Sequence, residues 1–428
     1  MTAEQASWVV SIVHVGNFLW AIPAGYLSDL LGRKVTLLLS GPVLLATWAI
    51  ILATRTVEAI YVARLLQGIP MATVYTVLPM YLGEIAGPAI RGSAGYMFPA
   101  IWYAGTVYEY AVGPYVTYQQ LAWISAIPPI VFLATFIWMP ESPYYYLMKE
   151  NTQRAEESLR WLRGGADIEA ELEAMKRSVE EERRTRTKGR LFAWRKLLCT
   201  PEGRTSLTKV TNVQAVYQIC GGGAMFSYAT NTFTLTERAS SVHAGVTSDQ
   251  MSILMASLVL LLVPFGAVAS DKLGRRPVLM ISTIGATIFL ALTTIYYYLL
   301  FETSTELYSI FWIPYFSIIC YTLMVACGTE SIIPVLQTEL FSNETRGTGS
   351  AILFLENAVL SFFILKAYQP LVDGLGLHFL YGSFAIGSLL GSLYVTFCVP
   401  ETKGMTFDEI QRTIAKKRTV TTESDDKP

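Results

Sequence analysis

The chain has 428 residues, of which 52% are hydrophobic, 12% aromatic and only 15% charged, with a mean hydropathy of +0.41. Soluble domains carry about 25% charged residues, so this composition is wrong for an ordinary water-soluble enzyme of the same length and right for a chain made for lipid. The formal net charge of −1 says little; the placement of the charges says more.

In chain order, apolar stretches near the ~20 residues that span a bilayer run over about 8–28, 36–54, 58–81, 93–112, 120–139, 210–230, 251–270, 278–300, 308–330, 348–368 and 378–398, eleven in all. Several hold prolines (Pro70, Pro79, Pro128, Pro264 and Pro314), which membrane helices tolerate and soluble helices mostly do not. The first stretch carries His14 and Asn17 and ends in a charged turn without a small-residue cleavage site, so it reads as a retained helix and not a signal peptide. Cys220, Cys320, Cys327 and Cys398 lie in apolar stretches and Cys199 in a polar one, which implies no disulfide framework. If the loop with Arg33 and Lys34 is cytoplasmic and the sides alternate, every Lys and Arg outside the spans except Arg55 and Arg238 is cytoplasmic; Arg64 and Lys366 lie within spans. That is the positive-inside pattern, and it makes the central loop and the carboxyl terminus cytoplasmic.

Between the fifth and sixth stretches, residues 148–205 change character. NTQRAEESLRWLRGG and DIEAELEAMKRSVEEERR are charged, with apolar positions at helical spacing and opposite charges three or four apart, and so read as soluble helices. The resulting division is 1–139 as a first membrane half, 140–209 as an intracellular helical loop, 210–399 as a second membrane half and 400–428 as a polar tail.

Short strings recur in the same order in both halves. DLLGRK (Asp29 to Lys34) is echoed by DKLGRR (Asp271 to Arg276), EIAGPAIRG (Glu84 to Gly92) by ELFSNETRG (Glu339 to Gly347), and PESP (Pro140 to Pro143) by PETKG (Pro400 to Gly404). The chain is a tandem duplication. Measured back from Asp29 there is room for one span, whereas two precede Asp271; the first half is expected to lack its opening helix, as a truncated or shortened version of a longer protein would. Each half supplies acids and bases at matching places, and charge-assisted pairs between helix ends that form in one conformation and break in another would bias an equilibrium as an inner latch.

These strings resemble the signatures of the sugar porter family of the major facilitator superfamily. DLLGRK, VARLLQGIP, PMYLGEIAGPAIRG, PESPYYYL, DKLGRR, ELFSNETRG and PETKGMTFDEI match in order over essentially the whole chain up to residue 411, and the PMYLGEIAGPAIRG and PESPYY wording is most similar to insect facilitated trehalose and glucose transporter-like proteins. The resemblance implies an all-α membrane protein of two pseudo-symmetric helical halves with an intracellular helical bundle, about eleven membrane helices here, and a substrate site between the halves near the midplane. It places Arg33, Glu84, Arg91, Glu141, Arg275, Glu339, Arg346 and Glu401 at the inner-gate salt-bridge positions. It also implies a multi-pass protein of the cell membrane that is not an enzyme and moves a small-molecule sugar, hexose or trehalose, by facilitated alternating access.

A sugar site needs hydrogen-bonding side chains in a wet cavity, because each hydroxyl exchanges water for a protein partner. By resemblance, Gln218 and Asn357 hold polar substrate positions, Tyr217 replaces a first Gln, Gly223 stands where an Asn belongs, and Tyr228 fits an outer-gate aromatic position. ESIIP (Glu330 to Pro334) displaces the hinge prolines and lacks the sugar-stacking Trp, Ser361 replaces a second Asn, and Pro99 stands where a Gln is usual. Glu330 is an ionisable residue inside a span and therefore a candidate functional group. Three other readings stay open: a proton-coupled symporter, a transporter-like sensor or inactive homologue, and a truncated fragment. His14, His243 and His378 are scattered, so no metal site or other cofactor is expected. The basic run 183–190 suits anionic lipid and not nucleic acid.

Overall fold

Inside a bilayer, backbone N–H and C=O groups find no water, and a helix satisfies them within one segment. The computed structural model of the chain describes residues 2–87, 91–164, 168–186, 190–240, 246–303, 310–342, 345–405 and 409, with side chains except at 91–97, 182–186, 190–193, 239–240 and 267. Among these residues all regular structure is helical.

The first half contains α1 (Ala3–Leu31), α2 (Arg33–Ala53), α3 (Val57–Ile85), α4 (Arg91–Val112), and α5 (Tyr118–Ser125) leading into α6 (Ile127–Phe136). Four short helices follow: α7 (Pro143–Met148), α8 (Thr152–Leu162), α9 (Glu169–Arg186) and α10 (Arg190–Cys199). The second half has α11 (Pro201–Ile219) and α12 (Gly222–Ser240), then α13 (Ser248–Leu273), α14 (Arg275–Glu302), α15 (Ile313–Met324), a π-helical turn (Val325–Glu330), α16 (Ser331–Leu340) and α17 (Arg346–Cys398). Eight stretches among the described residues are long and apolar enough to cross a membrane: α1, α2, α3, α5 with α6, α13, α14, α15 through α16, and α17. α17 leaves helical geometry at Gly376 (φ 84°, ψ 167°) and so supplies two of the expected spans. α4 and the α11–α12 pair cover the remaining two, 93–112 and 210–230.

Local sequence explains the helix ends. α1 and α13 both begin on a Thr-x-x-Gln capping box, Thr2 with Gln5 and Thr247 with Gln250, in which side chain and backbone satisfy each other's exposed donors. α1 and α2 meet at Gly32 (φ 104°), and α13 and α14 meet at Gly274 (φ 103°). Few residues except glycine adopt that backbone readily.

The chain divides into two compact units, Met1–Ile101 with Tyr115–Phe192, and Trp102–Pro114 with Ala193–Pro428. Residues 102–112 of α4 thus belong with the second unit although their sequence lies in the first repeat. Within the first unit α1 crosses α3 at Gly16 and Gly68, where a Cβ on Gly16 would lie 1.9 Å from the Leu65 carbonyl oxygen. Small residues permit such close backbone approach between membrane helices. Leu147, Leu159, Leu172 and Met175 knit α7, α8 and α9 into a small core of their own. In the second unit Val210, Leu279, Ile332, Leu336 and Val395 form the core. Elsewhere the usual pattern is inverted: Leu19, Ile22, Leu261 and Phe265 are more than half exposed, while Ser7, Ser11, Thr47 and Thr293 are fully buried. Small hydroxyls inside and large apolar groups outside suit helices packed in lipid.

Candidate functional site

The two charged hexapeptides build matching junctions, one in each unit. In the first, Glu141 sits at the start of α2 and accepts the backbone N–H groups of Arg33 (2.9 Å), Lys34 (3.0 Å) and Ser142 (2.9 Å). In the second, Glu401 accepts those of Arg275 (3.0 Å), Arg276 (3.1 Å), Thr402 (2.9 Å) and Lys403 (2.9 Å). Each carboxylate therefore caps the exposed donors and positive dipole end of a helix that begins directly after a glycine. Burial pushes the Glu401 carboxyl up, but its four backbone N–H partners outweigh that and hold it below the ordinary value.

The arginines repeat the symmetry. Arg33, buried, binds Glu84 (3.1 Å) and Asp29 (3.4 Å) and donates to the Ser28 carbonyl (3.1 Å), the end of α1. Arg275 binds Glu339 (2.9 Å) and Asp271 (3.2 Å) and donates to the Ser270 carbonyl (3.0 Å), the end of α13. Seven of the eight expected gate residues are thus located: Arg33, Glu84 and Glu141 come together, as do Arg275, Glu339 and Glu401, and Arg346 instead donates to the Thr338 carbonyl (2.9 Å). The side chain of Arg91 lies outside the described residues. Glu339 is shared between Arg275 and the Thr402 hydroxyl (2.5 Å).

The polar substrate candidates also lie in the second unit. The Asn357 carbonyl oxygen accepts the amide N–H groups of Gln214 (2.8 Å) and Gln218 (2.5 Å), and Gln218 also donates to Ser361 (2.9 Å). Gln214, one turn before Gln218 on α11, went unremarked in the sequence, although the i, i+4 spacing of two amides was the available signal. A Cβ on Gly223 would lie 3.3 Å from the Gln218 side-chain oxygen, so a larger residue there would press on this cluster. α11 and α12 break between them at Gly221 (φ 85°), and the Tyr321 hydroxyl donates to the Cys220 carbonyl that the break leaves open (2.6 Å).

Glu330 closes the π-helical turn. Its carboxylate accepts the hydroxyl of the buried Tyr103 from α4 at 2.5 Å and also hydrogen-bonds Tyr217 from α11. Nothing in the sequence had singled out Tyr103. Tyr228 is buried, stacked at 3.9 Å on Tyr368, and its hydroxyl donates to the Leu365 carbonyl (3.0 Å), so in this conformation it packs α12 onto α17. Asn17 is fully buried on α1, and neither its amide nor Nδ1 of His14 has a hydrogen-bond partner among the described residues.

The pattern that describes the Sugar (and other) transporter family matches residues 1–414. The chain belongs to that family. As a Sugar (and other) transporter it is a multi-pass membrane protein with the major facilitator fold and is not an enzyme. It is 28% identical over 419 residues to the facilitated trehalose transporter Tret1 of Polypedilum vanderplanki, an alignment covering 96% of this chain and 80% of that protein. It is 29% identical over 427 residues to Tret1 of Apis mellifera ligustica, covering 97% and 80%. Among solved structures it resembles the partially occluded inward-open form of the xylose transporter XylE from E. coli, with a TM-score of 0.76 at 18% identity over 94% of this chain and 89% of that one. That last likeness concerns the fold.

Proposed function

We propose that this family member moves a sugar, of hexose or trehalose size, across the plasma membrane by facilitated alternating access. The central helices and the carboxyl terminus would lie in the cytoplasm, where the two junctions serve an inner gate. The observation that carries this reading is the cluster of Gln214, Gln218, Asn357 and Ser361, which groups amides and a hydroxyl beside a broken helix. Such side chains can exchange hydrogen bonds among themselves for hydrogen bonds to sugar hydroxyls at little net cost, which favours reversible binding. The names of the insect relatives, facilitated trehalose transporters, point to the same solute class.

Uptake of labelled trehalose and glucose into proteoliposomes containing the full chain tests this. Wild type should fill the vesicles with at least one of them, and Gln218→Ala and Asn357→Ala should each lower the rate about tenfold, the equivalent of one well-placed hydrogen bond of ~1.4 kcal/mol. Uptake of neither sugar, or variants as fast as wild type, would sink the assignment. A sensor reading draws on one specific observation: Asn357 already accepts two amide donors, and Tyr228 is locked on Leu365. Saturable trehalose binding without vesicle filling would select it.

A further inference from the structure

Glu330 is an acid placed in the middle of a membrane-crossing segment, on a turn where the helix widens to π geometry. Such turns are rare and concentrate at functional sites, and a carboxylate away from water is costly unless a positive charge or several donors meet it. What meets Glu330 is two phenols, Tyr103 at 2.5 Å and Tyr217. An apolar cluster surrounds Tyr103 and the π-helical turn, with Val259 and Val263 of α13, Leu323 of α15 and Phe226 of α12, and Ser282 of α14 bonds Thr329 at 2.8 Å. Besides the two phenols, Cys327 is a titratable group at this turn, and among the described residues no basic side chain acts on the carboxyl.

Glu330 is part-buried as a residue, whereas Tyr103, Thr329 and Gly328 around it are buried. Tyr217, its partner, adjoins Gln218 on α11, which links the acid to the amide cluster. Tyr103 joins it from α4, a helix of the first repeat, and Tyr110 of the same helix bonds the Phe226 carbonyl. An acid so placed reports on both repeats and on the solute contacts together.

We propose that Glu330 is the counter-charge for one positive charge carried through the protein in each transport cycle, arriving either as a proton on the carboxyl or as an ammonium group on the solute. As a proton it converts the carboxylate to a neutral acid with its own O–H to donate, and is released from the same oxygen on the other side. As an ammonium it lies against the carboxylate with Tyr103 and Tyr217 as flanking ring faces and acceptors. Either makes transport electrogenic, which facilitated movement of a neutral sugar is not. The inference rests on the sugar-transport reading for its solute and replaces the purely facilitated mode with one coupled to charge.

The test is charge movement recorded from proteoliposomes of the full chain on a solid-supported membrane, with tracer uptake measured in parallel. The probes are glucose, trehalose, glucosamine and a pH jump without solute. A current with glucose or trehalose assigns the proton, and a current with glucosamine alone assigns the ammonium; Glu330→Gln should lose either, and Glu330→Asp, which keeps the charge, should restore part of it. Sugar uptake without current, or Glu330→Gln currents equal to wild type, overturns the counter-charge role while sugar transport stands. No uptake of any tracer, with a pH-jump displacement that Glu330→Gln abolishes, keeps the counter-charge role and sinks the sugar reading. Neither uptake nor displacement overturns both.

Discussion

Gly32 and Gly274 show why the hexapeptides DLLGRK and DKLGRR are written twice. At each glycine the backbone is in the left-handed region, and a Cβ would lie 2.2 Å from the Glu141 carboxylate or 2.7 Å from that of Glu401. The glycine is needed because a carboxylate must reach the N–H group immediately after it, from 108 residues beyond Arg33 or 126 beyond Arg275. Gly32→Ala should therefore destabilise the protein by about 1–3 kcal/mol, through backbone strain and a displaced cap, and thermal unfolding in detergent would show it; an unchanged transition would refute the steric account. The charged string and its echo were legible in the sequence. The capping role of Glu141 and Glu401 was not, because a salt-bridge position and a helix cap call for the same residue type. Glu401 also makes a pH prediction. Its carboxyl is held below the ordinary value by the fold, so its contribution is full above the unfolded value of about 4.5 and is lost as pH falls through the lower folded value. Glu401→Gln should flatten that part of the stability profile below about pH 4.5, measured by unfolding at stepped pH; an acid limb unchanged in the variant would count against it.

Helices were the most legible elements, since hydropathy reports length and apolar character directly. Continuity is a different property. The expected span 210–230 is broken at Gly221, and the expected span 308–330 passes through a π-helical turn into α16 and ends only at Leu340. Both breaks free backbone groups, and in lipid each of these needs a partner from another element. At the first break that partner is the fully buried Tyr321, whose hydroxyl lies 2.6 Å from the Cys220 carbonyl. Hydropathy averages over such a contact, which joins residues 101 apart. Tyr321→Phe keeps the ring and orphans the carbonyl, so it should cost about 1–3 kcal/mol. A thermal transition equal to wild type would mean that the broken helix satisfies itself. The Gln214–Gln218–Asn357 cluster was half visible for a related reason: each residue is readable as polar in an apolar span, but their convergence on one carbonyl oxygen depends on how α11 meets α17.

For the whole molecule, the tandem repeat was legible from three pairs of strings, and the two junctions reproduce it in the contacts of their arginines and in the capping of the following helix. Each junction closes inside its own unit: Arg33 with Asp29, Glu84 and the Ser28 carbonyl, Arg275 with Asp271, Glu339 and the Ser270 carbonyl. Contacts assembled this way hold helix ends together within a unit. Removing Arg33 leaves the Glu84 carboxylate uncompensated in a largely buried place, a loss of about 3–5 kcal/mol by analogy with other broken buried pairs. Arg275 is more exposed, at 14% against 3% for its counterpart, so Arg275→Ala should cost less. If each junction acts only within its own unit, the two losses should add to within about 0.5 kcal/mol in the double variant. Chemical unfolding of the wild type, both single variants and the double variant measures the cycle. A coupling clearly above that limit would show that the mirrored junctions sense each other.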